Sequence, residues 1–170
     1  MDRQAEDSVA VRVGELLEAT GETLSTVESC TGGLIGSTVT DVSGSSSYYD
    51  RGYVTYSNRA KLALGVSRES IEEYGAVSEP VAREMAQAAR DAAGTTWAVS
   101  TTGIAGPSGG TAEKPVGTVY IGVAYAGEWG RGTSETTVTH QEYDGTRTEI
   151  KDKVAHEALE LVGSAVNERW

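Results

Sequence analysis

Residues 23 to 41 constrain the architecture of this chain more than any other segment. Leu24, Ser25, Thr26 and Val27 form an apolar, partly β-branched run; Glu28-Ser29-Cys30-Thr31 follows, and Gly32-Gly33 breaks it. Leu34, Ile35, Thr38 and Val39 then recur at helical spacing. A period-two strand that turns within a few residues into a period-3.6 helix is the building unit of an α/β fold. The pattern predicts a strand over Thr23–Glu28 and a helix over Gly32–Asp41. It also has a chemical reading. A serine at a strand end, ahead of backbone N–H groups that lack intrahelical partners, suits a hydrolytic nucleophile. The same residues suit a plain tight turn with Ser and Thr as caps, and the local sequence leaves both readings open.

The rest of the chain continues the alternation. Val9, Val13, Leu16 and Leu17 share a helical face that closes at Gly21. Ser43–Ser47 reads as a loop, Tyr48–Ser57 as a strand, and Asn58–Leu64 as a helix stopped by Gly65. A short helix runs from a Ser67 cap to Tyr74. Ser78-Glu79-Pro80 opens another, which carries Val81, Met85, Ala88, Ala89 and Ala92 to Gly94. Trp97–Ser100 is a short buried strand, and Thr101–Pro115 is a Gly- and Pro-punctuated loop of a length usually kept for function. Val116–Tyr125 and Thr133–His140 form a late hairpin turning at Ala126-Gly127-Glu128. A final helix starts near Thr146, with Ile150, Val154, Ala158, Leu161 and Ala165 facing inward. Helices alternating with strands pack as a three-layer α/β/α sandwich, and the late hairpin makes the sheet mixed, though mostly parallel.

At 170 residues the chain has room for one well-cored domain, taken as residues 1–170. Its 25 acidic residues against 14 basic give a net charge of −11, which repels phosphate backbones and argues against nucleic acid as a partner. Lysine occurs only at 61, 114, 151 and 153. So acidic a surface with so little lysine suggests a salt-rich cytoplasm, where screening relieves self-repulsion. Cys30 is the sole cysteine, which excludes an internal disulfide and any multi-cysteine metal site. No apolar run has the length of a membrane span, and the polar opening Met1-Asp2-Arg3-Gln4-Ala5-Glu6-Asp7 has no leader-like core. These features predict a cytoplasmic protein with no membrane partner.

Two further segments hold chemistry-bearing residues. Lys61 follows Tyr56-Ser57-Asn58 by one helical turn, on the side near Tyr56. A lysine serves as a general base only where burial or nearby positive charge lowers its pKa well below ~10.4, and a serine paired with such a lysine is a known arrangement for amide hydrolysis. Lys61 also suits a solvated helix position, and Tyr56 a half-buried strand position. The segment Thr102-Gly103-Ile104-Ala105-Gly106-Pro107-Ser108-Gly109-Gly110 lacks the Lys-Ser/Thr ending of a P-loop, but its glycines let a backbone approach a ligand closely.

Five ordered motifs carry a family resemblance: Val27 to Gly33, Arg51 to Asn58 with Lys61, Gly75-Ala76-Val77-Ser78-Glu79, Thr102 to Gly110, and Lys114-Pro115-Val116-Gly117-Thr118-Val119. Together they resemble the C-terminal domain of the competence/damage-inducible protein CinA, a domain also found alone as nicotinamide-nucleotide amidase. The likeness runs from about residue 8 to residue 165. It implies hydrolysis of the carboxamide of nicotinamide mononucleotide to nicotinate mononucleotide and ammonia, a step of pyridine nucleotide salvage, with no metal and no cofactor. It also implies a three-layer fold with a mixed sheet and a homo-oligomer, most simply a dimer. The family's nucleophile falls on Ser29, and its tyrosine and lysine on Tyr56 and Lys61. Lys61 is then expected to accept the Ser29 proton, with Tyr56 relaying or orienting it. Thr31, Gly32 and Gly33 are expected to supply oxyanion donors. Asn58, Gly103 and Gly106 are expected to contact substrate, and Arg147 its phosphate, with Lys114 a further candidate.

The remaining suspects carry weaker signals. Cys30 beside the proposed nucleophile reads as buried packing, and His140 and His156 as surface residues rather than metal ligands. Tyr48 and Tyr49 either line a nicotinamide pocket or simply pack. A non-catalytic nucleotide-binding or regulatory module of the CinA type is the alternative function, and the presence of all three catalytic side chains favours the enzyme.

Overall fold

The computed structural model describes residues 8–170, so the polar opening lies outside the described residues. Helix α1 spans Val9–Thr20, capped by the Ser8 hydroxyl and ended by Gly21 in the left-handed region. Strand β1 spans Leu24–Glu28, and helix α2 spans Leu34–Thr40. A turn of 3₁₀ helix at Ser45–Ser47 leads into strand β2, Tyr49–Val54. Helices α3 (Asn58–Leu64), α4 (Arg68–Tyr74) and α5 (Glu79–Ala93) precede strands β3 (Trp97–Gly103), β4 (Thr118–Tyr125) and β5 (Glu135–Glu142). Helix α6, Arg147–Arg169, closes the chain behind a Thr146/Glu149 capping box.

The five strands lie in the order β2-β1-β3-β4-β5. β2, β1 and β3 pair in parallel, whereas β4 pairs antiparallel with both β3 and β5. Four of the five strands therefore point the same way, as a mixed, mostly parallel sheet requires. α1, α2 and α6 cover one face, and α5 covers the other, flanked by α3 and α4. The layers form because strand side chains alternate between faces. Leu24 joins Leu17, Ile35, Val99, Ile121, Val154 and Leu159 on the α6 side, while Val27 joins Val81, Met85 and Ala98 on the α5 side.

Several boundaries differ from those read in the sequence. β3 runs on to Gly103, because Thr101, Thr102 and Gly103 keep pairing with Ile121, Tyr120 and Val119. The buried face of α6 includes Ala155, Leu159, Val162 and Val166, with Leu161 and Ala165 at its margin. The Ser78 hydroxyl, expected to cap α5, instead donates to Gly75 O at 2.7 Å. Tyr48 stays outside β2 and is buried against Gly14, while the Tyr49 hydroxyl pairs with Thr26 Oγ1, so both tyrosines pack. Among the described residues, no helix is long and apolar enough to cross a membrane.

Candidate active site

The alternation that sorts the core also separates two adjacent polar residues. Along β1, Glu28 points toward α2, and Ser29, the next residue, points toward α3. Ser29 extends the ladder by one bond, its N–H donating to Thr101 O at 3.0 Å, and the chain then turns back as Gly32 N–H donates to Ser29 O at 3.1 Å. Gly32 and Gly33 both have positive φ, 60° and 105°, which β-carbon-bearing residues rarely adopt.

Lys61 reaches this serine from the opposite side of the cleft. The Ser57 hydroxyl accepts from Ala60 N and fixes the start of α3. Lys61, the fourth residue of that helix, is only 1% exposed. Its Nζ lies 2.9 Å from Ser29 Oγ, 2.7 Å from Thr55 O and 3.5 Å from Tyr56 O. All three partners are uncharged. Burial lowers the Lys61 pKa below the ordinary lysine value, and the neighbouring Cys30 thiol opposes that shift only in part. A neutral amine in this position can donate to the two carbonyls and accept the Ser29 hydroxyl hydrogen on its lone pair.

A cavity of about 320 Å³ opens beside the pair. Its walls come from five places: Ser29 and Cys30; Tyr56, Asn58 and Lys61; Ala76 and Val77; Thr102 to Gly106 with Ser108 and Gly109; and Arg147. This volume falls in the range of small-molecule sites. Asn58, Gly103, Gly106 and Arg147, expected from the sequence to meet substrate, all line it. Thr31, Gly32 and Gly33 do not. The Thr31 hydroxyl is consumed by Glu28 Oε1 at 2.6 Å and Thr101 Oγ1 at 2.8 Å, and the two glycines shape the turn.

Tyr56 takes part differently from the expected relay. Its carbonyl faces Lys61, but the residue is 62% exposed and its hydroxyl accepts from Arg147 Nη2 at 3.1 Å. Arg147 Nη1 donates to Gly106 O at 2.7 Å, so this guanidinium ties the loop after β3 to the segment after β2. An arginine at the first position of a helix opposes the helix dipole, and its bridging place at the cavity mouth explains its presence there. Lys114, the further phosphate candidate, lies outside the cavity walls and donates to Tyr74 O at 2.7 Å.

Gly106 has φ of 78°, and a β-carbon there would come within 2.4 Å of Val116 Cγ1. Gly103 is glycine for the sheet's sake as well, since a β-carbon would press to 2.6 Å on Val119 Cγ2 and 2.8 Å on Thr118 O. Thr102, the first residue of the Gly-rich segment, also forms part of the wall. Its direction follows the strand period: Ser100 and Thr102 share the α5 face, and their hydroxyls donate to Ala82 O and Ala76 O.

Comparison with known proteins identifies the family of the chain. The family model described as the CinA C-terminal domain matches residues 6–166. The nicotinamide-nucleotide amidohydrolase PncC of Enterobacter agglomerans is 49% identical, over 86% of this chain and 87% of its own length. A CinA-like protein of a Nostoc species is 54% identical over 72% of this chain, which matches only 29% of that longer protein. Among solved structures, the competence/damage inducible protein CihA from Agrobacterium tumefaciens superposes with a TM-score of 0.86 at 40% identity, covering 94% of this chain and 93% of that one.

Proposed function

Because this chain belongs to the CinA C-terminal domain family, we propose that it hydrolyses the carboxamide of nicotinamide mononucleotide to nicotinate mononucleotide and ammonia, with Ser29 as nucleophile and Lys61 as base. The observation that carries this reading is the 2.9 Å contact between Lys61 Nζ and Ser29 Oγ, made where the lysine is buried and its pKa lowered. A purely ligand-binding module has no use for a desolvated amine aimed at a hydroxyl. The likeness to an amidohydrolase over nearly the whole of both chains supports the same substrate class.

In this mechanism neutral Lys61 takes the Ser29 proton as Oγ bonds to the carboxamide carbon. The tetrahedral intermediate carries an oxyanion. The Gly32 and Leu34 amides donate to Ser29 O and Thr31 O, and the Ile35 and Gly36 amides to Glu28, so the amide of Cys30, beside the nucleophile in the cavity wall, is assigned to that charge. The C–N bond then breaks, and protonated Lys61 gives its proton to the departing nitrogen, releasing ammonia. Water, deprotonated by the same amine, attacks the Ser29 ester and frees nicotinate mononucleotide. With Oγ and Nζ in direct contact, no relay through the Tyr56 hydroxyl is needed. Tyr56 instead holds Arg147, whose forked donors suit the substrate phosphate.

The test is ammonia release from nicotinamide mononucleotide in concentrated potassium chloride, with Ser29→Ala alongside. Turnover by wild type and its loss in the variant are expected, with nucleotide binding retained. Wild type that binds the nucleotide without releasing ammonia would favour the regulatory alternative. Turnover surviving in Ser29→Ala would reassign the nucleophile.

A further inference from the structure

Glu28 is a buried carboxylate, 1% exposed, and among the described residues none of its hydrogen bonds comes from a cation. Such a group is costly to bury unless N–H and O–H donors surround it. Here Oε1 accepts from Thr31 Oγ1 at 2.6 Å and Ile35 N at 2.8 Å, and Oε2 accepts from Gly36 N at 3.0 Å. Thr31 passes the connection on to Thr101, whose carbonyl receives the Ser29 N–H. On the main-chain side, Glu28 O accepts from Thr55 N at 2.8 Å, and Thr55 O in turn holds Lys61 Nζ. One residue is therefore linked to both halves of the Ser29–Lys61 pair, through Thr31 and Thr101 on one side and through Thr55 on the other.

Building on the proposed serine–lysine chemistry, we infer that Glu28 is a positioning residue, whose carboxylate locks the turn that aims Ser29 Oγ at Lys61. The packing alone does not call for an acid here, since a Gly-rich strand-to-helix turn can be capped by Ser, Thr or Asn. A carboxylate does what those cannot: both of its oxygens accept, and together they span Thr31, Ile35 and Gly36. In Glu28→Gln the amide nitrogen must face one of these donors, so no rotamer satisfies all three. The turn then relaxes, and misplacing a nucleophile by about an ångström lowers its reactivity on the order of 100-fold.

The experiment follows covalent labelling of Ser29 by a small fluorophosphonate, read by intact mass, beside kcat and KM for nicotinamide mononucleotide. Labelling needs the Ser29–Lys61 pair but not the natural substrate, so it still tests Glu28 if wild type proves inactive toward the nucleotide. That inactivity would count against the proposed substrate alone. Glu28→Gln is expected to label on the order of 10- to 100-fold more slowly, and to lose kcat by a like factor with KM little changed. Thr31→Val, which removes the hydroxyl joining Glu28 to Thr101 and leaves the Ile35 and Gly36 bonds, is the second variant and is expected to slow labelling to a smaller degree while staying folded, with a modestly lower melting temperature. Labelling of folded Glu28→Gln within twofold of wild type would overturn the inference. So would a Glu28→Gln that fails to fold, coupled with a folded Thr31→Val that labels at the wild-type rate.

Discussion

Lys61 Nζ and Ser29 Oγ stand 2.9 Å apart, although 32 residues separate them in the chain. The contact couples activity to the protonation of one buried amine. The proposed mechanism uses Lys61 in its neutral form, and burial lowers its pKa, so kcat/KM should rise with pH along a limb lying below the ordinary lysine value of ~10.4. Stability follows the same linkage. A lysine whose folded pKa is lowered disfavours the folded state at pH below that pKa, and the penalty fades as pH rises toward the unfolded value. Wild type should therefore gain stability relative to Lys61→Met as pH rises through that window. Urea midpoints of both proteins across the alkaline range check this, and parallel curves would refute it.

Arg147 bridges Gly106 O and the Tyr56 hydroxyl at the cavity mouth. If it holds the substrate phosphate, Arg147→Ala should raise KM for nicotinamide mononucleotide by roughly 10- to 100-fold, the range expected for a lost charged hydrogen bond. kcat should change less. Nicotinamide riboside, which lacks the phosphate, should be hydrolysed equally by variant and wild type. An equal penalty on both substrates would mean that Arg147 acts only by tying the two loops together.

Burial pushes the Cys30 thiol up to about 11, so it stays protonated at neutral pH. Iodoacetamide should then modify native protein far more slowly than urea-unfolded protein, and Cys30→Ala should keep turnover within a few-fold of wild type. Fast native alkylation with parallel inactivation would show that the thiol is reachable and matters.

The charge of −11 is carried by 170 residues with four lysines, of which Lys61 is buried. Exposed like charges are screened by salt. The melting temperature should accordingly climb steeply from dilute buffer to multimolar potassium chloride and flatten thereafter. A melting temperature independent of salt would remove the case for a salt-adapted surface.

Much of this arrangement was legible because it is local. The period change at Gly32-Gly33 marked β1 and α2, and the spacing of Ser57 to Lys61 put the lysine one turn into α3. The late hairpin gave the mixed sheet. What stayed hidden depends on contacts across the fold. Tyr56 and Lys61 are close in sequence, yet the tyrosine ring turns outward to an arginine 91 residues away. Glu28 read as the last residue of a strand, since nothing in its neighbours reveals that its carboxylate occupies the end of α2. Thr31, Gly32 and Gly33 looked like ligand contacts because a Gly-rich turn ahead of a helix usually leaves its amides free. Here the turn is closed on itself: the Gly32 amide donates to Ser29 O, and the Thr31 hydroxyl is spent on Glu28 and Thr101.

The reversed direction of β4 has a practical corollary. It sends the hairpin between β4 and β5, residues 126–134 with the exposed Trp129, to the end of the sheet opposite the cleft. Fluorophores, surface tethers or inserted peptides could be grafted there, where they would report on the molecule without touching its reacting groups.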